Sequence, residues 1–129
     1  MNRRKAVACE GVMRFAAAFS KEGSSVFLPL DESGPIDLIV LRNSLLRVQV
    51  KSMKPHNGVL RVAFKSSNNW SVKRYCAGDI DLFAVYDHEN QHGYLLPMKD
   101  FDGRFQANLR LESSPHKLAA FQAEQYRFF

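Results

Sequence analysis

Three polar side chains of different chemistry, Asp37, Gln49 and Lys51, lie in two apolar runs that a β-hairpin would place side by side. The runs are separated only by residues 42–44, a suitable length for a hairpin loop. Asp37 then pairs with Gln49, because each step away from the loop adds one residue from each strand. Side chains alternate between faces, so the three polar residues share one face. A carboxylate, an amide and an amine gathered there are suited to a hydrated divalent cation and a phosphate.

The opposite face of this hairpin is entirely apolar and predicts a buried core. It carries Ile36, Leu38, Val40, Leu46, Val48 and Val50. Ordinary explanations also exist for the polar face, since an Asp near a Pro commonly forms a turn and an alternating Gln and Lys commonly face solvent. The hairpin alone therefore leaves both a metal site and a plain solvated strand open.

The composition favours one folded domain with a polyanionic partner. The chain has 129 residues, 46% of them hydrophobic, with 7 Gly and 5 Pro, which excludes disordered and collagen-like classes. We expect a single domain over residues 1–129. Eighteen Lys and Arg against 13 Asp and Glu give a net charge of +5 and a pI near 9.4. Nucleic acid is a partner that this charge favours.

The cysteines and the N-terminus indicate an intracellular, cytoplasmic protein without a membrane partner. Cys9 and Cys76 are too few for a disulfide scaffold and lie outside any zinc-binding spacing. The basic residues 1–5 are followed too soon by Glu10 for a signal peptide, and no apolar run is long enough to span a membrane.

The periodicity along the chain predicts a mixed α/β domain. An apolar stripe at helical spacing predicts a helix over 5–21, which Gly23 ends. A serine pair and a proline at 113–115 predict the start of a last helix over about 114–126. Strands are predicted over 25–30, the two arms of the hairpin, 59–65, 80–86 and 94–98, whereas 101–112 fits either an edge strand or an irregular loop.

Five segments, in this order, resemble the PD-(D/E)XK nucleases, and within them the small homing endonucleases of group I introns. They are 26–29 (VFLP), 35–38 (PIDL), 46–51 (LRVQVK), 78–86 (GDIDLFAVY) and 94–97 (YLLP). The likeness covers residues 8–98, within a core at about 5–98, and leaves the C-terminal part uncovered. It implies a restriction-endonuclease-like core of the αβββαβ type, with a mixed central sheet flanked by helices. The activity it implies is magnesium-dependent hydrolysis of DNA phosphodiesters.

The resemblance also implies a role for each residue on the polar face of the hairpin. Asp37 would be the motif aspartate that ligates Mg²⁺, for which Mn²⁺ can substitute, and the backbone carbonyl of Val50 would be a further ligand. Gln49 takes the place of the usual Asp or Glu, and its amide oxygen can bind a hard cation but attracts it less strongly without a charge. Lys51 would orient the attacking water and stabilise charge that develops on the phosphate.

The helical glutamate of the family falls on Glu10, which would complete the catalytic and metal-binding set. An alignment counted back from Gly23 puts Val12 at that position instead, so Glu10 requires two extra residues before the turn. Without Glu10, Asp37 would be the only fixed charge on the metal, and activity would be slow or absent.

Six basic residues on segments that flank the polar face are candidate DNA contacts. They are Arg47, Lys54, Arg61, Lys65, Lys73 and Arg74. Arg47 shares the strand face of Gln49 and Lys51 and is predicted to clamp a phosphate, although each of the six also fits a solvated charged face. Asp79 and Asp81 precede a buried strand and are expected to cap a turn or pair with an arginine.

A domain this small spans only part of a DNA turn, so cutting both strands favours a homodimer or higher homo-oligomer. The C-terminal apolar residues could form that interface or fold back onto their own domain. They are Leu118, Phe121, Tyr126, Phe128 and Phe129.

Three functions remain open on the sequence. The first is an endonuclease on double-stranded or branched DNA, of the homing or Holliday-junction-resolvase kind. The second is a catalytically weak or inactive nuclease fold that binds DNA or supports assembly. The third is a small protein-interaction domain.

Overall fold

A five-stranded mixed sheet carries the candidate site, and one long helix and a second sheet pack on its two faces. In the computed structural model, residues 1–31, 33–67, 72–74, 77–112 and 121–129 are described, at 66–67 and 72–74 by their backbone alone. The helix is α1 (Arg3–Lys21), and the strands are β1 (Ser25–Phe27), β2 (Leu38–Leu41), β3 (Leu45–Met53), β4 (Val59–Ala63), β5 (Lys65–Ser67), β6 (Val72–Arg74), β7 (Leu82–Asp87), β8 (His92–Pro97), β9 (Gln106–Arg110) and β10 (Phe121–Gln122). Short 3-10 helices follow β8 and β10, at Met98–Asp100 and Ala123–Tyr126. Within this described part, no helix is long and apolar enough to cross a membrane.

Local sequence determines both ends of α1. The Asn2 side chain caps the first turn by accepting a hydrogen bond from the Lys5 N–H at 2.9 Å. At the other end, Gly23 adopts the left-handed conformation (φ +99°), which suits a residue without a Cβ atom. The predicted helix and its end are confirmed, with a start two residues earlier than expected.

The hairpin at the centre of the sheet has the predicted register. Leu41 pairs with Leu45 across the loop, and Leu38 pairs with Val48. The strand order of the sheet is β1-β2-β3-β7-β8, in which β3 and β7 run parallel and the other neighbours antiparallel. β3 is longer than β2, so its second half is supported by β7 alone. The mixed α/β prediction is thereby confirmed.

The two faces of the central sheet are buried in different ways. α1 packs on one face, where Phe15 and Phe19 meet the apolar side of the hairpin. The second sheet, of order β10-β9-β4, packs on β7 and β8 from the other side, where Phe64 lies edge-on against Phe83 with ring centroids 5.0 Å apart. The polar side of the hairpin lies on the same face of the central sheet as the second sheet, and it borders the core between the two sheets.

The prediction that the last helix extends over residues 121–126 is wrong. Phe121–Gln122 is a strand that pairs in parallel with β9, and Ala123–Tyr126 is a 3-10 helix. Aromatic rings from both segments pack on Phe101, with centroids 5.0 and 5.5 Å away. This tertiary packing outweighs the local helix signal. Residues 113–120, with the predicted start of that helix, lie outside the described residues.

The aromatic end of the chain folds back onto its own domain. Phe128 and Phe129 pack against Phe15 of α1, with ring centroids 6.4 and 5.1 Å away. Gly93 accommodates the Phe129 ring, which occupies the space that a Cβ atom there would need. Of the two alternatives open on the sequence, the fold-back is therefore observed for the residues from 121 onward, whereas Leu118 lies outside the described part.

Gly11 allows α1 to approach the sheet closely. A Cβ atom at this position would collide with the Ser52 hydroxyl on β3 and touch Tyr86 on β7. We expect Gly11→Val to lower the free energy of unfolding by about 2 kcal/mol, because the added atoms must push the helix or β3 aside. Urea denaturation measures the loss. Gly34→Val, at a loop position with open space around it, is the control, and an equal loss at both positions would contradict the close approach.

Candidate active site

Asp37 lies at the entrance to β2 and is held there by two backbone hydrogen bonds. Its N–H donates to the Val48 carbonyl at 2.8 Å, and its Oδ2 accepts from the Val50 N–H at 2.8 Å. Because β2 begins only at Leu38, the carboxylate takes the place of a strand partner for Val50. Burial raises the pKa of Asp37, while the hydrogen bond from Val50 and the charge of Lys51 oppose the rise. A carboxylate in such surroundings is stabilised by a bound cation.

Gln49 holds an amide oxygen in a buried position without a hydrogen bond. Its Nε2 lies 3.5 Å from the Val50 carbonyl oxygen, while Oε1 is shielded from solvent and has no donor among the described residues. An unpaired buried acceptor costs about 1–3 kcal/mol, so such an atom requires an explanation. A cation ligated by Oε1 supplies one, since amide oxygens bind hard cations.

The backbone of β3 adds a further oxygen beside Asp37. The N–H and C=O of one strand residue point to the same side, so the Val50 carbonyl points toward β2, as its N–H does. β2 begins at Leu38, which pairs with Val48, so no residue of β2 lies opposite Val50. Carboxylate, amide and carbonyl oxygens together form a donor set that suits Mg²⁺.

The charge of this donor set is small. No group of three or more His, Cys, Asp or Glu side chains that could hold a metal occurs in the part of the chain that the structure describes. A cation bound here would therefore rely on the carboxylate of Asp37 for its fixed negative charge.

Lys51 shares the strand face of Gln49, and its amine lies close to the start of β5. Nζ donates to the Lys65 carbonyl at 3.2 Å. Burial lowers the pKa of Lys51 below its ordinary value, with Lys65 adding to the decrease and Asp37 opposing it. A compact, partly desolvated ammonium beside a carboxylate can bind a phosphate oxygen or hold a water.

Glu10 is not brought together with these groups. It is exposed on α1. Burial raises the pKa of the Tyr86 hydroxyl, and the charge of Glu10 adds to that rise. Tyr86 belongs to β7, two strands from β2, and is part of the core that faces α1. Glu10 therefore lies on the opposite side of the sheet from Gln49, and its role as a ligand stays a prediction.

The Arg47 guanidinium, which was predicted to clamp a phosphate, makes its hydrogen bonds inside the protein. Its Nε and Nη2 donate to both carboxylate oxygens of Asp81, at 3.0 and 3.1 Å, and its main-chain N–H donates to the same carboxylate at 2.7 Å. Nη1 and Nη2 also donate to the carbonyls of Gly78 and Ala77, at 2.8 and 3.1 Å. The parallel pairing of β3 with β7 brings Asp81 beside Arg47, so the guanidinium uses its donors inside the protein. The expected pairing of Asp81 with an arginine is confirmed.

Removal of the Asp81 carboxylate should destabilise the fold more than removal of an equally exposed carboxylate from another ion pair. The Arg42–Glu22 pair is a matched control, with side chains 34% and 30% exposed against 36% and 31% for Arg47 and Asp81. We expect Asp81→Ala to lower the free energy of unfolding by about 2 kcal/mol and Glu22→Ala by about 1 kcal/mol or less, because Asp81 also accepts a main-chain N–H. Equal losses in urea denaturation would contradict this role.

The same carboxylate should make the stability of the fold sensitive to acid. The hydrogen bond from Arg47 holds the pKa of Asp81 below its ordinary value. A carboxyl with a lowered pKa in the folded state stabilises the fold above its ordinary pKa, and that stability is lost as the pH falls through the folded value. The melting temperature between about pH 7 and about pH 3 should therefore fall more steeply for the wild type than for Asp81→Asn. Parallel curves would contradict the prediction.

The other predicted DNA contacts lie on segments around Lys51. Lys65 is exposed and begins β5, which forms a hairpin with β6. Lys54 follows β3 and Arg61 lies on β4, and both are exposed. The strands predicted from the sequence do not include β6, so this pairing was missed. The side chains of Lys73 and Arg74, the last two predicted contacts, lie outside the described ones.

The comparisons with known proteins concern the fold and the family of the chain. The solved structure of a bacterial homing endonuclease, I-Ssp6803I, matches with a TM-score of 0.74 at 22% sequence identity, over 98% of this chain and 89% of that chain. The likeness confirms the restriction-endonuclease-like fold and includes the C-terminal part that the resemblance in sequence left uncovered. No curated protein matches the chain.

The family comparison covers nearly the whole chain. The model of the PD-(D/E)XK endonuclease family matches residues 2–129, a range that contains Asp37, Gln49 and Lys51. Because the match runs through nearly the whole chain, the chain belongs to the PD-(D/E)XK endonuclease family.

Proposed function

We propose that the chain is a divalent-metal-dependent DNA endonuclease that hydrolyses phosphodiester bonds at Asp37, Gln49, Val50 and Lys51. The observation that carries this proposal is the buried Gln49 Oε1, which has no donor among the described residues. Gln49 lies on β3 between Val48 and Val50, and the main-chain groups of these two neighbours hydrogen-bond to Asp37. An amide oxygen without a donor, on the strand that also binds a partly buried carboxylate, suits a cation site.

Mg²⁺, for which Mn²⁺ can substitute, would be held by Asp37, the Gln49 amide oxygen and the Val50 carbonyl. When bound, such an ion supplies a Lewis acid and makes a water more acidic. Since Gln49 is neutral, we expect a weaker affinity for the ion than a pair of carboxylates would give.

The side chains of the site have separate tasks in this proposal. The Val50 N–H holds one oxygen of Asp37, which leaves the other for the ion. Lys51 holds the attacking water or a phosphate oxygen and stabilises negative charge as it develops on the phosphate. Arg47 and Asp81 position β3 through the contacts that tie it to the start of β7.

DNA is the proposed substrate because the chain carries a net charge of +5 and the site suits a phosphodiester. The likeness to I-Ssp6803I supports cutting of double-stranded DNA in the manner of a homing endonuclease. Branched DNA, the substrate of junction resolvases, is the alternative within the same chemistry.

Cutting assays at low salt test this function directly. Supercoiled plasmid and a synthetic four-way junction are incubated with purified protein and Mg²⁺, and in parallel with EDTA. We expect cutting that EDTA abolishes and Mn²⁺ restores. Cutting that persists in EDTA would contradict the proposed chemistry.

A second candidate function is a nuclease fold that binds DNA without cutting it. The position of Glu10 near Tyr86 supports it, because Asp37 then carries the fixed charge of the site by itself. Salt-sensitive binding of plasmid and junction with no cutting in Mg²⁺ or Mn²⁺ would favour this second function.

A further inference from the structure

We propose that Lys65 is a positioning residue for the reaction, because its main-chain carbonyl holds the ammonium of Lys51 in place. This inference deepens the proposed function and rests on it. The link between the two residues is direct, since Nζ of Lys51 donates to the Lys65 carbonyl oxygen at 3.2 Å. Lys65 thereby gains a role that is separate from the DNA contact predicted for its side chain.

A lysine amine needs such a restraint to act at a defined point. Its flexible four-carbon stem carries about 2 kcal/mol of rotamer entropy. The ammonium has three N–H donors, and the Lys65 carbonyl takes one of them, which leaves two for the attacking water and a phosphate oxygen. An amine that is already held in place requires less ordering when the transition state forms. The carbonyl therefore contributes to the rate of the cutting step.

The Lys65 carbonyl is anchored to the same core that supports β3. Phe64, the preceding residue, is fully buried, and its N–H donates to the Phe105 carbonyl at 2.8 Å. The Phe64 ring packs edge-on against Phe83, which pairs with Gln49 of β3. The acceptor and the strand that carries Lys51 are thus fixed relative to each other through buried aromatic side chains.

The β5–β6 hairpin, which begins at Lys65, connects this contact to DNA. Among the described strands, β5 and β6 pair only with each other, and an isolated two-stranded hairpin is marginally stable. Its register pairs Lys65 with Arg74, and residues of like charge at paired positions destabilise a hairpin. A DNA phosphate bound at the hairpin offsets this repulsion. We expect DNA to stabilise the hairpin and, through it, the position of the Lys65 carbonyl.

The mobility of the Lys51 side chain tests the contact without any cutting. NMR relaxation of the lysine Cε methylene groups is measured on the full chain in EDTA, and Lys51→Met assigns the signal. Lys54 is the matched control, because it follows the same strand and is exposed. We expect the order parameter of Lys51 to be about twice that of Lys54 or more, and to rise further when a short DNA duplex is added at low salt.

Two variants of Lys65 separate its main chain from its charge. Lys65→Met and Lys65→Gly both remove the ammonium, but only glycine frees the backbone that directs the carbonyl. Lys51 should stay ordered in Lys65→Met and become as mobile as Lys54 in Lys65→Gly. At saturating DNA, Lys65→Gly should cut about 10-fold more slowly than Lys65→Met, and this difference should vanish when Lys51→Met is added to both. Circular dichroism confirms that each variant is folded.

The outcomes separate the positioning role from the nuclease function. Equal mobility of Lys51 and Lys54 in the wild type, with and without DNA, overturns the proposal, and so does equal order of Lys51 in the two Lys65 variants. If Lys51 is ordered through Lys65 but no DNA is cut, the contact stands and the nuclease function fails. If the wild type cuts, a rate difference between the Lys65 variants that persists without the Lys51 amine overturns the role in the reaction. An order parameter that DNA leaves unchanged overturns the link to the hairpin.

Discussion

Asp37→Asn should abolish metal-dependent cutting, with the nicking rate of supercoiled plasmid falling by about 100-fold or more. Asp37 supplies the fixed charge of the proposed cation site, and an amide oxygen in its place attracts Mg²⁺ far less. Single-turnover nicking over a series of Mg²⁺ concentrations measures the effect. The concentration that gives half the maximal rate should rise along with the loss in rate.

The same substitution should leave the fold intact. The amide side chain that replaces the carboxylate keeps an oxygen that can accept from the Val50 N–H, and the change removes a carboxylate whose burial raises its pKa. The melting temperature in metal-free buffer should therefore equal or exceed that of the wild type. Full nicking activity in a folded Asp37→Asn variant would contradict the assignment of Asp37.

Lys51→Met should lower the rate of the cutting step by about 100-fold to 1,000-fold, because it removes a charge placed to stabilise the phosphate in the transition state. Metal affinity should stay the same or increase, since a positive charge near Asp37 is lost. This separates Lys51 from Asp37, whose loss acts through the metal.

Lys54→Met provides the matched control for Lys51. Lys54 follows the same strand but is exposed, so the change should weaken DNA binding slightly and leave the rate at saturating DNA unchanged. If Lys51→Met and Lys54→Met reduce the saturated rate equally, Lys51 has no special role in the reaction.

The hairpin could be predicted from the sequence because its register depends on local pairing. One loop, residues 42–44, places Leu41 opposite Leu45, and alternation then brings Gln49 and Lys51 to one face. What the pattern could not give is the unpaired state of Gln49 Oε1 among the described residues, which depends on the packing around the site.

The role of Arg47 could not be predicted for a different reason. Its partner Asp81 is 34 residues away in the chain and becomes a neighbour only through the parallel pairing of β3 with β7. Strand alternation alone put Arg47 beside Gln49 and suggested a guanidinium that faces DNA. The distant pairing uses that guanidinium inside the protein.

Helix signals were reliable at the N-terminus and misleading at the C-terminus. Around α1, Asn2 and Gly23 act within one turn of the helix, so local sequence was sufficient. In Phe121–Tyr126, contacts with β9 and Phe101 decide the structure. The position of Glu10 likewise depends on the rotation of α1 against the sheet, which periodicity alone does not specify.

The position of a bound ion tests the central claim most directly. Crystals of the full chain soaked in Mn²⁺ are measured near the manganese absorption edge. We expect an anomalous peak within about 2.5 Å of an Asp37 carboxylate oxygen, Gln49 Oε1 and the Val50 carbonyl oxygen, and no such peak in Asp37→Asn. A strong peak elsewhere in the molecule, with Gln49 Oε1 bonded to a water or a protein donor instead, would contradict it.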